Sequence, residues 1–136
     1  MSIRILLADD HTIVLQGLSR FLQEQADMEV VGQAKDGYTT VEMARELSPD
    51  VVIMDISMPG LNGIDATRLI CSENPEIKVI GLSMHSARRY VQEMYKAGAR
   101  GYLLKDCDFE ELVGAIRTVA AGGTYFGREF QDVTTC

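Results

Sequence analysis

Two carboxylates in tandem, Asp9 and Asp10, close the short apolar run that begins at Ile5, and a third, Asp55, closes Val51-Val52-Ile53-Met54. Ser83 and Lys105 end two further apolar runs. In an open parallel α/β sheet, ligands bind beyond the carboxyl ends of the strands, where strand order reverses. If each run is a strand, five polar groups from four separated segments converge on one rim. Singly, each has a plain explanation: Asp and Ser are favoured helix N-caps, which covers Asp9 or Asp10 before a helix starting near His11 and Ser83 before a later one. A lone lysine is usually solvated. Their coincidence at successive rim positions is what points to chemistry.

That chemistry is phosphoryl transfer. Carboxylates a few Å apart resist ionisation unless a cation sits among them, and hard oxygen ligands of this kind suit Mg²⁺. A metal there neutralises phosphoryl oxygens and sets them in line with a carboxylate nucleophile, the route to an aspartyl-phosphate. Lys105 supplies a second positive charge, and the Ser83 hydroxyl a donor to a phosphoryl oxygen. His11 and His85 are lone histidines in loops, and motif matches this thin are usually false. They receive no role. Arg88-Arg89 reads as a solvated face and the seven methionines mostly as core filler.

The elements that must position these groups are legible from periodicity. Runs rich in Ile, Val and Leu at 3–8, 29–34, 51–55, 79–83 and 101–105 alternate with stretches of helical period, which indicates βα units and a parallel sheet. The runs at Ile5-Leu6-Leu7 and Val51 to Met54 are unbroken, as strands covered on both faces should be. Val14, Leu18, Phe21 and Leu22 give the first helix an inward face, and Leu112, Val113, Ile116, Val119 and Ala120 do so for the last. Between them helices are expected over 38–47, 64–72 and 88–97, bounded by signals such as Pro59-Gly60, Pro75 and Gly98. The fold class is therefore α/β, a doubly wound (βα)₅ chain. Gly122 and Gly123 end the last helix, and 124–136, without period, reads as a tail or the start of a linker, which leaves 1–123 as the folded domain.

A chain of 136 residues fits one domain with a real core. Thirteen basic against twenty acidic residues, net −7, make a poor match to a nucleic-acid backbone, so DNA contact requires another domain. The apolar start is too short for a signal peptide or membrane span, and the expected location is cytoplasmic. Three widely spaced cysteines, Cys71, Cys107 and Cys136, form no CxxC and sit in no Cys/His cluster, so reduced, non-functional thiols are expected.

With Asp9-Asp10, Asp55, Ser83 and Lys105 in place, the chain closely resembles the receiver domains of two-component response regulators, the CheY-like family. The motifs are Leu-Leu-Ala-Asp-Asp-His, Val-Ile-Met-Asp-Ile-Ser-Met-Pro-Gly-Leu-Asn-Gly and Gly-Ala-Arg-Gly-Tyr-Leu-Leu-Lys-Asp. The resemblance implies a five-stranded sheet of order 2-1-3-4-5. It also implies Asp55 as phosphoacceptor, Asp10 as a direct Mg²⁺ ligand, Asp9 as a ligand largely through water, and the Ser57 backbone carbonyl completing the metal site. Ser83 matches the family's switch hydroxyl, Lys105 its lysine, and Tyr102 the aromatic that turns inward with the switch. The phosphodonor implied is a sensor histidine kinase, and the output surface is the fourth helix, fifth strand and fifth helix, a candidate dimer face. The first and fifth helices offer another.

The Gly-Tyr-Leu-Leu-Lys-Asp segment is most similar to the NarL/FixJ class, usually transcription factors with a C-terminal helix-turn-helix domain for which 124–136 has no room. A fragment cut in the linker is the favoured reading, a stand-alone receiver the other. Asp106 follows Lys105 where many receivers carry a proline in a cis bond, and a non-proline cis bond costs about 3 kcal/mol. Ser57 and His85, two beyond Asp55 and Ser83, occupy positions that tune phosphoryl lifetime in the family. Among other functions, an Asp-nucleophile phosphatase lacks its proton donor because Ser57 stands where an Asp is needed. A flavin site would not place two carboxylates after strand 1, and no GxxxxGK[ST] is present.

Overall fold

The computed structural model describes residues 2–126. The elements run β1 (Ile3–Ala8), α1 (Thr12–Gln23), β2 (Met28–Ala34), α2 (Gly37–Leu47), β3 (Val51–Met54), α3 (Gly63–Glu73), β4 (Lys78–Ser83), α4 (Arg88–Ala97), β5 (Gly101–Leu104), α5 (Phe109–Ala120) and β6 (Tyr125–Phe126). All pairings are parallel, in the order β2-β1-β3-β4-β5-β6. The first five strands carry the expected 2-1-3-4-5 order.

Because successive strand side chains point to opposite faces, the core divides in two. Leu6, Ala8, Val52, Met54 and Val79 face α2, α3 and α4, meeting Val41, Ala66, Ile70, Val91 and Met94. Ile5, Leu7, Val51, Ile53 and Leu82 face α1 and α5, meeting Leu15, Leu22, Leu112 and Ile116. Each of these Val, Leu, Ile and Met side chains, buried fully, contributes about 1.5–3 kcal/mol. Strand β1 from Ile5 onward and the whole of β3 are apolar and buried because both their faces are covered.

Helix starts show where polar side chains are committed. Asp36, Asn62 and Asp108 cap α2, α3 and α5 by accepting from Thr39, Asp65 and Glu111 N–H groups. Helices α1 and α4 begin at His11 and Ala87 without a side-chain cap. These two follow Asp9 and Asp10 after β1 and Ser83 at the end of β4, so none of the three serves as the N-cap that its residue type alone suggests. Gly63 opens α3 against the strand end: a Cβ there would lie 2.1 Å from the Asp55 carbonyl oxygen, so only glycine lets α3 start this close to Asp55.

One expectation is corrected. The stretch from 124 was read as aperiodic tail, yet Tyr125 and Phe126 pair with Gly101 and Tyr102 as a sixth strand. Phe126 is buried and sets its ring edge-on to Tyr95 at 5.7 Å. Two residues are too few to show a period. The rest of the expected tail, 127–136, lies outside the described residues. Every peptide bond described is trans, Lys105 to Asp106 included. Cys71 and Cys107 are free thiols; Cys136 lies outside the described residues. No helix among the described residues is long and apolar enough to cross a membrane.

Candidate functional site

Four strand ends deliver the expected groups to one rim. Asp9 follows β1, Asp55 follows β3, Ser83 ends β4 and Lys105 follows β5, and Asp9, Asp55 and Ser83 are all buried. Lys105 Nζ lies 2.7 Å from Asp9 Oδ2 and 3.5 Å from Asp55 Oδ2. The first is a charge-assisted hydrogen bond; the second is an electrostatic contact only. Asp9 is hydrogen-bonded through both oxygens, its Oδ1 accepting the backbone N–H and Nδ1 of His11 at 2.8 Å and its Oδ2 the Lys105 ammonium.

Asp55 is not. Its Oδ1 has one long contact, 3.4 Å from the Ser57 N–H, and its Oδ2 is buried without a hydrogen-bond partner. A buried, unsatisfied carboxylate oxygen is costly and uncommon. Burial pushes the Asp55 carboxyl above its ordinary range, the negative charge of Asp9 adds to this, and Lys105 opposes it. Asp10 is more exposed, with its Oδ1 3.2 Å from His11 Nδ1. One ligand atom from each of Asp9, Asp10, His11 and Asp55 lies within 4.8 Å of the others.

Beside the carboxylates is a second layer. Ser83 Oγ accepts the His85 N–H at 3.0 Å, and the Tyr102 hydroxyl donates to the His85 carbonyl at 2.6 Å. Tyr102 is wholly buried, so its ring is already turned inward, and burial raises its hydroxyl pKa against an opposing bond from Ser83. The His85 ring packs on Tyr90 at 4.3 Å, and its Nε2 meets Ser57 Oγ at 2.7 Å, joining the loop after β3 to the loop after β4.

Every group expected at the rim is brought there. The two histidines left without a role are also engaged, His11 with Asp9 and His85 with Ser57, Ser83 and Tyr102. Their signal was position: one directly after the tandem aspartates, the other two residues after Ser83.

A doubly wound parallel sheet with three carboxylates and a lysine at its carboxyl edge defines a class of phosphate-handling α/β domains, and comparison with known proteins narrows it. The response regulator receiver domain family matches residues 5–117. The transcriptional regulatory protein MctR of Rhizobium johnstonii is 48% identical over 124 residues, covering 91% of this chain and 58% of that protein. A two-component response regulator of the LuxR family from Aurantimonas sp. SI85-9A1 superposes with a TM-score of 0.89 at 34% identity, over 99% of this chain and 94% of that one. The signal receiver domain of the putative response regulator NarL from Mycobacterium tuberculosis gives 0.86 at 32% identity, over 89% and 98%. The chain belongs to the response regulator receiver family, and its relatives are transcriptional regulators of the NarL/LuxR class. It spans just over half the length of the curated relatives it matches.

Proposed function

We propose that Asp55 accepts a phosphoryl group from a sensor histidine kinase and that the modification switches the α4-β5-α5 surface. The observation that carries this reading is Asp55 Oδ2, buried, without a hydrogen-bond partner, and 3.5 Å from the Lys105 ammonium. An orphaned oxygen beside a cation is available both as a nucleophile and as a metal ligand. Attack by this oxygen forms the new O–P bond while the donor's bond to phosphorus breaks and its electron pair leaves with the donor.

The site's charge favours a divalent cation: three carboxylates face one lysine, and one Asp55 oxygen has no hydrogen-bond partner. Asp10, Asp55 and the Ser57 backbone carbonyl would hold Mg²⁺ directly, with Asp9 acting largely through water. When bound, the ion neutralises phosphoryl oxygens during transfer. Lys105, poised between Asp9 and Asp55, donates to the phosphoryl group, and the Ser83 hydroxyl turns toward it. That turn breaks the Ser83 contact with the His85 N–H and so reaches the loop whose carbonyl holds Tyr102.

The only chemistry assigned to the domain is its own phosphorylation and dephosphorylation, in the cytoplasm. The switched α4-β5-α5 surface is also the candidate dimer face on phosphorylation, and the isolated receiver of the relative RcsB from Salmonella enterica has been solved in the presence of a phosphomimetic. DNA contact belongs to a separate helix-turn-helix domain of the kind the NarL/FixJ resemblance implies. The test is intact mass after incubation with acetyl phosphate, with Mg²⁺ and with EDTA. One phosphoryl adduct that needs the metal and disappears in Asp55→Asn supports the reading, and no adduct under either condition removes it.

A further inference from the structure

His11 has no part in the function proposed above, yet its ring stands among the carboxylates. Its Nδ1 is 2.8 Å from Asp9 Oδ1 and 3.2 Å from Asp10 Oδ1. Adjacent donors around a six-coordinate ion with bonds of about 2.1 Å are about 3.0 Å apart, and opposite ones about 4.2 Å. The four candidate atoms of Asp9, Asp10, His11 and Asp55, all within 4.8 Å of one another, come close to that spacing. One carboxylate oxygen of Asp55 belongs to that set, and Asp55, a residue only 3% exposed, has its Oδ2 without a hydrogen-bond partner.

We propose that His11 is a ligand of this site through Nδ1, and that it makes the site bind Co²⁺, Ni²⁺ or Zn²⁺ more tightly than Mg²⁺. This rests on the reading of the carboxylates as a divalent-cation centre and adds a nitrogen donor to it. Magnesium keeps oxygen ligands and water. Imidazole nitrogen suits the later first-row metals, whose affinity for mixed nitrogen and oxygen sites rises along the series. Ligation uses the Nδ1 lone pair, with the ring proton held on Nε2. Asp9 Oδ1 gives up its bond from Nδ1 and keeps the one from the His11 backbone N–H at 2.8 Å. The side chain is 61% exposed, so the ring can adjust without disturbing the core.

The test titrates Mg²⁺ and Co²⁺ separately into the wild-type protein, His11→Ala and His11→Asn, following amide shifts and paramagnetic effects by NMR. Asparagine can still donate to Asp9, so it separates holding Asp9 from binding metal. The expected result is a loss of Co²⁺ affinity of tenfold or more in both variants, with Mg²⁺ affinity within about twofold of wild type, and a paramagnetically shifted His11 ring signal in the wild type alone. Unchanged Co²⁺ affinity overturns the proposal while leaving the cation centre intact. Equal loss of both metals, rescued by asparagine, reduces His11 to a positioning residue and also overturns it. If neither metal perturbs the rim of the wild type, the cation centre fails and the proposal with it.

Discussion

The ring of Tyr102 lies across its own cross-strand partner, Gly81, so closely that a Cβ at residue 81 would sit 2.9 Å from Tyr102 Cδ2 and 3.1 Å from the Met94 methyl. The inward position of this aromatic thus depends on the absence of a side chain on the neighbouring strand. Gly81 has an ordinary strand backbone, so alanine there meets no conformational barrier, only the ring.

Gly81→Ala should therefore turn Tyr102 out of the core, breaking its 2.6 Å bond to the His85 carbonyl. Overpacking of this kind costs about 1–3 kcal/mol. Loss of the NOEs between the Tyr102 ring and the Met94 methyl is the expected signature. Their survival would show that Met94 yields instead and that the ring is not held by the glycine.

Asp55→Asn should stabilise the metal-free fold. Burial and Asp9 raise the Asp55 carboxyl above its unfolded value, so as pH rises the unfolded chain loses this proton first, and stability falls between the unfolded and the folded pKa. At neutral pH in EDTA the variant should melt roughly 3–5 °C higher, the shift produced by about 1 kcal/mol in a domain of this size. The difference should vanish at a pH below the unfolded value. An equal Tm at neutral pH would mean that Lys105 already compensates Asp55 in full.

Phe126→Ala should cost about 3 kcal/mol, as for other buried Phe truncations, and should speed hydrogen exchange of the Tyr125 amide, which is bonded to the Arg100 carbonyl. Chemical denaturation and exchange together check this. A neutral substitution would return β6 to the status of a loose tail.

Cys107 should be a poor nucleophile. Burial first, then the charges of Glu111, Asp108 and Asp106, push its thiol up to about 11. At pH 8 the thiolate fraction is then on the order of a hundredfold below that of a free cysteine. Peptide mapping after a short iodoacetamide pulse should find Cys107 unmodified, and modification at the rate of a free thiol would contradict the placement.

Much of this was legible in residue order, for physical reasons that differ by element. The first strand was read with the bounds observed, and β3 and β5 one residue too long, at Asp55 and Lys105, whose N–H groups still bond to the Ala8 and Ser83 carbonyls just past the strand ends. The fourth helix, 88–97, was bounded correctly by the C-cap glycine Gly98, whose φ is +114°. The rim was legible because four strands bring polar residues to their carboxyl ends, Asp9-Asp10, Asp55, Ser83 and Lys105. What residue order did not carry was direction and reach. Nothing in the sequence says that His11 turns back onto Asp9, that His85 spans two loops to Ser57, or that Lys105 sits nearer Asp9 than Asp55. Those depend on loop backbones converging from strands far apart in sequence. The sixth strand was hidden because its pairing with Gly101 and Tyr102 is a tertiary event.

The central claim is that Asp55 itself carries the phosphoryl group. An acyl phosphate is reduced by borohydride, whereas a free carboxylate is not, so treating the acetyl phosphate-modified protein with borohydride and mapping its peptides locates the acceptor. The account expects homoserine at position 55 and at no other aspartate, and only when Mg²⁺ was present. Homoserine at position 9 or 10, or none anywhere in a sample whose mass shows the adduct, would contradict it.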